Sequence, residues 1–442
     1  MRKLFLVILL VVAAFSVGAV SAQMTDLESV DPTGATVVYW HQFSGAQLEA
    51  MTSLVETFNS TNEYGITVEA IAQGNYNDIR NLMNAGITSG ELPNIVAGFA
   101  NDAASYLRDG ATVDLTPFIE SAMWGMDEEA LADFRADLLP FNTLPTGEVV
   151  AFPHQTSAQV FAYNQTLLSE LGFDAPARSI EEFEAQACAA AEYTGMNGED
   201  VQGFPITTDT SMFESFVASQ GGQIFDGEAY TFTSDEVVAS FELYKRLYDD
   251  GCGYIPAERF AEQADFARGL TPFFGTSTAG FTFVTQAFVD SGYEADWSVT
   301  TFPHAEGAET IQVFVPSIIL AGGTPEEQVA SWLFLKSLVT PEASALWSSS
   351  TGYFGSSRAG QMTLTDETPF GAPQIYPYFT SASDILANPD VALYSGPSIV
   401  AQGTVRGLIS EAIANVTSNG MSVEDAVAAL QAGADQALAD SM

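Results

Sequence analysis

Residues 147–164, GEVVAFPHQTSAQVFAYN, interrupt an apolar run with a polar island. Val149, Val150, Ala151 and Phe152 read as one buried strand and Val160 to Tyr163 as another, with Pro153, His154, Gln155, Thr156 and Ser157 between them. Short hydroxyl and amide side chains seldom occupy such a place for packing alone. A surface loop between two strands is one reading. The other is a chain passing from one lobe to a second beneath a polar solute, because neutral hydrogen-bonding groups face such a solute without the desolvation cost of charges.

Upstream, TVVYW at residues 36–40 reads as a strand, and Leu48, Met51, Leu54, Val55 and Phe58 recur at helical spacing. Residues 66–71 form a second strand, 77–88 a second helix and 94–98 a third strand. Alternation at this spacing predicts a parallel sheet built of right-handed crossovers, with ligands beyond the carboxyl ends of its strands. Downstream of the opening stretch, Ser179 with Glu182 signals a helix start. Helices over 211–220 and 234–250 and a short strand at 272–275 follow, then a strand over 312–320 and a helix from about Pro325. Ser422 with Asp425 is a capping box for the last helix. No low-complexity linker separates independent domains, so two lobes must share the chain more than once.

The chain has 442 residues, 47% hydrophobic and 12% aromatic, enough for two or three cores. Arg2 and Lys3, the apolar run from Leu4 to Val20 and the small residues before Gln23 fit a secretory signal over residues 1–22. An extracytoplasmic, periplasmic place is therefore expected. Cys188 and Cys252 are the only cysteines and can make one bridge in such a compartment. With His41, His154 and His304 the only histidines, no zinc site of ordinary spacing and no cofactor are expected.

Thirteen basic residues stand against 56 acidic ones, a net charge of −43 that becomes −45 without Arg2 and Lys3. Such a surface repels nucleic acid. An anionic ligand could be met only by Lys245, Lys336 or one of nine arginines. Arg406, at the start of a helix in QGTVRGLISEAI, opposes the helix dipole there; an anionic partner or a surface salt bridge accounts for it. Tyr76 follows Gly74-Asn75 at a strand-to-helix turn and can stack on a sugar or polyol, or be an ordinary half-buried tyrosine. The run GTSTAG at 275–280 offers three hydroxyls to an oxyanion. It falls one residue short of a hydrolase nucleophile elbow, and a serine hydrolase using Ser277 and His304 is the alternative from a different class.

The order and spacing of WHQFSG, QGNY, SGELPNIV, YNQTLLSELGF, WLFLKSLVTPEASALW and TGYFGSSRAG resemble the solute-binding proteins of ABC importers. They are of the large carbohydrate-binding group, and the likeness is strongest to members that bind glycerol 3-phosphate. The resemblance implies an α/β, two-lobed, type II periplasmic-binding-protein fold. Each lobe is then a mostly parallel sheet flanked by helices, with residues 24–150 and 310–350 in lobe one, 151–309 and 351–442 in lobe two, and a hinge between. It places Tyr76, Ser157, Ser277, Tyr353 and Arg406 on ligand-contact positions, the serines, Tyr353 and Arg406 on the phosphate. Three positions depart from the pattern: Ala100 stands where a glutamate holds glycerol hydroxyls, Val315 where a glycine is usual, and residues 208–211 replace a tryptophan. Asn101, Asp102, Thr208 and Ser211 are therefore further candidates. The implied protein is a non-enzymatic monomer that delivers glycerol 3-phosphate or a glycerophosphodiester to an ABC permease; a neutral sugar or oligosaccharide is the alternative solute.

Overall fold

The structure is a computed structural model describing residues 27–441 except 145, 196–197, 259 and 369–374. The expected signal segment lies outside the described residues. In chain order the strands are β1 Thr36–His41, β2 Thr67–Ala72, β3 Ile95–Gly98, β4 Gln155–Asn164, β5 Phe204–Pro205 and β6 Gly253–Tyr254. They continue with β7 Phe273–Ser277, β8 Trp297–Thr300, β9 Thr310–Phe314, β10 Ser317–Leu320, β11 Phe354–Gly355 and β12 Ala392–Tyr394. Strands β5 and β6 form a small ribbon of their own.

The first sheet has the order β10-β3-β1-β2. Strand β1 runs parallel to β2 and β3, and helices Gly45–Thr61 and Tyr76–Ser89 make the connections. Along β1 every second side chain, Val37, Tyr39 and His41, is buried, as strand periodicity requires. The helix Tyr76–Ser89 starts where Asn75 accepts from the Asn77 and Asp78 amides and Asp78 accepts in turn from the Asn75 amide. Gly74, at φ +81°, must be glycine, since a Cβ there would lie 2.4 Å from the Asp78 carboxylate. The core of this lobe gathers Val37, Tyr39, Met51, Phe58, Trp332 and Phe334.

The second sheet is organised on the ten-residue β4, which pairs antiparallel with β7, β8, β9 and β11, while β12 runs parallel to β9. Five strands thus share one direction and β4 alone opposes them. In the first sheet β10 plays the same part, antiparallel to β3. Both strands follow a crossing of the chain from the other lobe, so the entry point sets their direction against the crossover-built strands around them. Phe161, Phe183, Phe204, Phe216 and Phe273 fill the core beside this sheet. Cys188 and Cys252 are disulfide-bonded there, and Gly203 packs so closely that a Cβ would meet the Cys252 carbonyl.

Two expectations are corrected. The run 312–320 is two strands, β9 in the second sheet and β10 in the first, because the ladder stops at Val315-Pro316, where proline has no amide to donate. Residues 310–314 therefore pair with the lobe-two sheet, not with lobe one. The polar island is also less of a link than expected. Gln155, Thr156 and Ser157 already belong to β4 and are buried, whereas residues 149–152 make only isolated bridges, Thr143 to Val149 and Phe152 to Ile318. Among the described residues no helix is long and apolar enough to cross a membrane.

Candidate functional site

A cavity of about 820 Å³ lies between the two sheets and is walled by both lobes. From the first lobe come Asn75, Tyr76, Asn77 and Arg80, opening one helix, with Phe99, Ala100 and Asn101, opening the next, Ala100–Arg108. From the second come residues 207–211 and Glu214 of helix Thr210–Ser219, the crossing 312–315, and Gln402, Arg406 and Ser410 of helix Gln402–Val416. The first turns of four helices thus open onto the cavity, a surface that favours groups accepting hydrogen bonds.

Each arginine of the described lining is paired with a carboxylate. On the first lobe, Arg80 Nε donates to Asp102 Oδ1 at 2.7 Å, with the aspartate 5% exposed. The other oxygen of Asp102 accepts from the Phe99 amide at 3.2 Å and so caps its own helix. On the second lobe, Arg406 Nη1 lies 3.7 Å from Glu214 Oε1 and its Nη2 donates to Ser211 Oγ at 3.2 Å. Glu214 is 1% exposed and Arg406 39% exposed. Glu214 also accepts from the side-chain amides of Gln312, at 3.0 Å, and Gln402, at 3.4 Å. Burial pushes its carboxyl up to about 7, against the opposing pull of Arg406. Asp209, Glu258 and Glu262 also line the cavity, so its described lining carries two more acids than bases.

Of the residues singled out from sequence, Tyr76, Asn101, Thr208, Ser211 and Arg406 line this cavity. So do Ala100, Val315 and residues 208–211, the three departures from the resemblance. Tyr76 packs its ring on Phe99, with centroids 4.8 Å apart, while its phenol lies against that of Tyr353. Tyr353 itself is buried in the first lobe's core, and burial pushes its phenol up to about 12. Ser157 is buried in the ladder opposite Phe314, and Ser277 stands opposite Gln159; neither lines the cavity. Asp102 sits behind Arg80 as a structural partner and does not face the cavity directly. His304 lies elsewhere, against Glu309 and the Ala305 carbonyl on a separate cavity of about 390 Å³ that Ser277 does not line. His41 and His154 are buried beside the Tyr39 and Trp347 rings, where burial pushes their imidazoles down to about 4 and about 3.

Sequence reasoning missed Glu214, the paired glutamines and the aromatic surface that Phe141, Phe260 and Phe314 add to Phe99. A signal for Glu214 existed. It is the one acid in TSMFESFVAS, a helix in which every residue is buried, and an ionisable group has no packing reason to be there.

The model of the family described as "Bacterial extracellular solute-binding protein" matches residues 53–361. The sn-glycerol-3-phosphate-binding periplasmic protein UgpB of Agrobacterium fabrum is 28% identical over 153 residues, 34% of each chain. Its counterpart in Brucella abortus is 26% identical over 140 residues, 31% of each chain. The chain thus aligns with about a third of the length of these relatives. Among solved structures, UgpB from Mycobacterium tuberculosis in complex with glycerophosphocholine superposes with a TM-score of 0.76 at 18% identity, over 92% of this chain and 100% of that one. The cyclic alpha-maltosyl-1,6-maltose binding protein from Arthrobacter globiformis gives 0.70 at 19% identity, over 91% and 99%. At these identities the likeness is one of fold.

Proposed function

The chain belongs to the bacterial extracellular solute-binding proteins, and from that premise we propose that it is the solute-capturing component of an ABC importer, acting outside the cytoplasmic membrane. The observation that carries the reading is the cavity itself: both lobes wall it, and the chain crosses between them beside it. A solute bound to one lobe gains the hydrogen bonds of the other only when the lobes come together, so binding favours closure. The protein is proposed to work as a monomer, to hand its solute to a membrane permease and to perform no chemistry on it.

The proposed solute is a glycerophosphodiester. Arg406 with Ser211 and Thr208 suits a phosphate oxygen, and Tyr76 with Asn101 suits the hydroxyls at the far end. The excess of acids among the described residues lining the cavity favours a solute without net negative charge, which a zwitterionic diester satisfies better than glycerol 3-phosphate does. Relatives named for glycerol 3-phosphate, and a structural neighbour in complex with glycerophosphocholine, support this class. Ser157, Ser277 and Tyr353 are proposed as deeper contacts, reached as the lobes rearrange about the crossings. A neutral oligosaccharide is the second reading, favoured by the four phenylalanines on the cavity wall.

Calorimetry against glycerophosphocholine, glycerol 3-phosphate, maltose and trehalose tests this. The diester is expected to bind tightest, and Arg406→Ala to weaken it at least about tenfold. An unchanged affinity in the variant would remove the phosphate assignment. Tightest binding to maltose or trehalose would install the second reading.

A further inference from the structure

Glu214 is the one buried carboxylate among the described residues lining the cavity, and its surroundings are built to hold it in place. The amide nitrogens of Gln312 and Gln402 point at it from β9 and from helix Gln402–Val416. Their own oxygens are engaged, Gln312 by Ser215 at 3.0 Å and Gln402 by Tyr230 at 3.0 Å, so neither amide can turn its acceptor end to the carboxylate without losing a bond. Arg406 lines the cavity beside this fixed acid and is far the more exposed of the two. Its guanidinium stands 3.7 Å from the carboxylate and also borders the solute space.

An anion arriving at Arg406 therefore meets a cation already shared, with a second negative charge a few ångströms further on. At such separations and an intermediate dielectric the repulsion costs on the order of tenfold or more in affinity. A solute that brings its own cation, or carries no charge, does not bear that cost to the same degree.

We propose that Glu214 sets the charge of the solute accepted: ionised, it holds Arg406 and confines the site to neutral or zwitterionic solutes; protonated, it releases Arg406 to a net anion. The inference rests on the reading that this cavity takes the solute, and it adds that acceptance of an anion is coupled to uptake of one proton. The charge balance around Glu214 comes from several elements. Arg406 lowers its proton affinity, and Asp209, at the start of its own helix, raises it. Tyr394 on β12 donates a hydrogen bond, and Tyr230 faces it from the loop before helix Asp235–Asp249. Both tyrosines are pushed above their ordinary range by burial and stay neutral near pH 7. With burial holding Glu214 at about 7, the exchange falls within reach of ordinary changes in pH.

The probes are glycerophosphoglycerol, a diester of net negative charge, and glycerophosphocholine, the same diester with a fixed cation. Neither ionises near neutrality, unlike glycerol 3-phosphate, whose second phosphate ionisation lies near pH 6. Calorimetry of the wild-type protein at pH 5.5 and 8.0 is expected to show the anionic probe gaining on the zwitterionic one by at least about tenfold at the lower pH. Repeating the anionic titration at pH 8.0 in buffers of different ionisation enthalpy is expected to show uptake of about one proton per solute bound. Glu214→Gln should accept the anionic probe equally at both pH values. A probe ratio that ignores pH in the wild type, anion binding without proton uptake, or a pH dependence that survives in Glu214→Gln would each overturn the inference. The proton count needs no variant, so a misfolded glutamine protein does not spare it. If glycerophosphocholine binds and the ratio stays flat, only the inference falls; if neither diester binds at either pH, the diester reading falls with it.

Discussion

The two arginines among the described residues lining the cavity make an instructive pair. Arg80 is joined to Asp102 at 2.7 Å, and Asp102 spends its other oxygen closing the first turn of a helix. Arg406 stands 3.7 Å from Glu214, more exposed, with the acid held by amides instead of by a helix end. In the first pair the carboxylate is part of the scaffold and the arginine is fixed by it. In the second the acid is buried at some cost to its charged form and the cation leans toward solvent. An arginine and a carboxylate thus make a clamp on one lobe and a looser contact on the other.

That contrast can be broken most severely at Asp102. Asp102→Asn should cost about 3 kcal/mol, since it strips Arg80 of its partner and weakens the helix start, and urea denaturation would read the loss. A cost under about 1 kcal/mol would make this pair no more than a surface bridge. The second largest effect is expected from Glu214→Gln, and it depends on pH. The folded carboxyl titrates at about 7, above its ordinary 4.5, so its contribution to stability is full below pH 4.5 and is lost as pH rises through 7. The glutamine protein lacks that loss. Its stability should match the wild type at pH 4.5 and exceed it by up to about 3 kcal/mol at pH 8, as thermal melts would show. Curves that separate in acid instead would reverse the assignment of the two pairs.

Smaller is the effect of Arg406→Ala on stability. With its stem half in solvent it should change the melting free energy by about 1 kcal/mol or less near pH 5, while lowering solute affinity as stated above. Smallest is Arg80→Lys, which keeps the charge and loses the guanidinium geometry toward Asp102. About 0.5–1 kcal/mol is expected, without a change in which solute is preferred.

The parallel part of the first sheet, β1 to β3, could be read from sequence because everything needed to form it is local. TVVYW, the apolar spacing of the next helix and the following strands carry their periods within a few dozen residues. The polar island resisted for the opposite reason. Gln155 is satisfied by the indole of Trp347, and the Pro153 carbonyl by the hydroxyl of Ser356, partners about two hundred residues away. A strand whose polar groups are met at that distance looks, from its own residues, like a loop. The division of 312–320 between two sheets was hidden likewise, since both halves are equally apolar and only the pairing tells them apart. At the site, Tyr76 and Arg406 were visible as an aromatic and a cation in unusual places. The setting of Glu214 was not, because it is defined by Gln312 and Gln402, 98 and 188 positions further along.

The strand β10 has a consequence for how the molecule comes into being. The first lobe cannot finish its sheet until Ser317–Leu320 exists, by which point most of its companion lobe has been made. A ribosome would therefore release well over two hundred residues before the earliest lobe could close its edge. So late a closing strand leaves that edge of the sheet unpaired through most of the chain's synthesis.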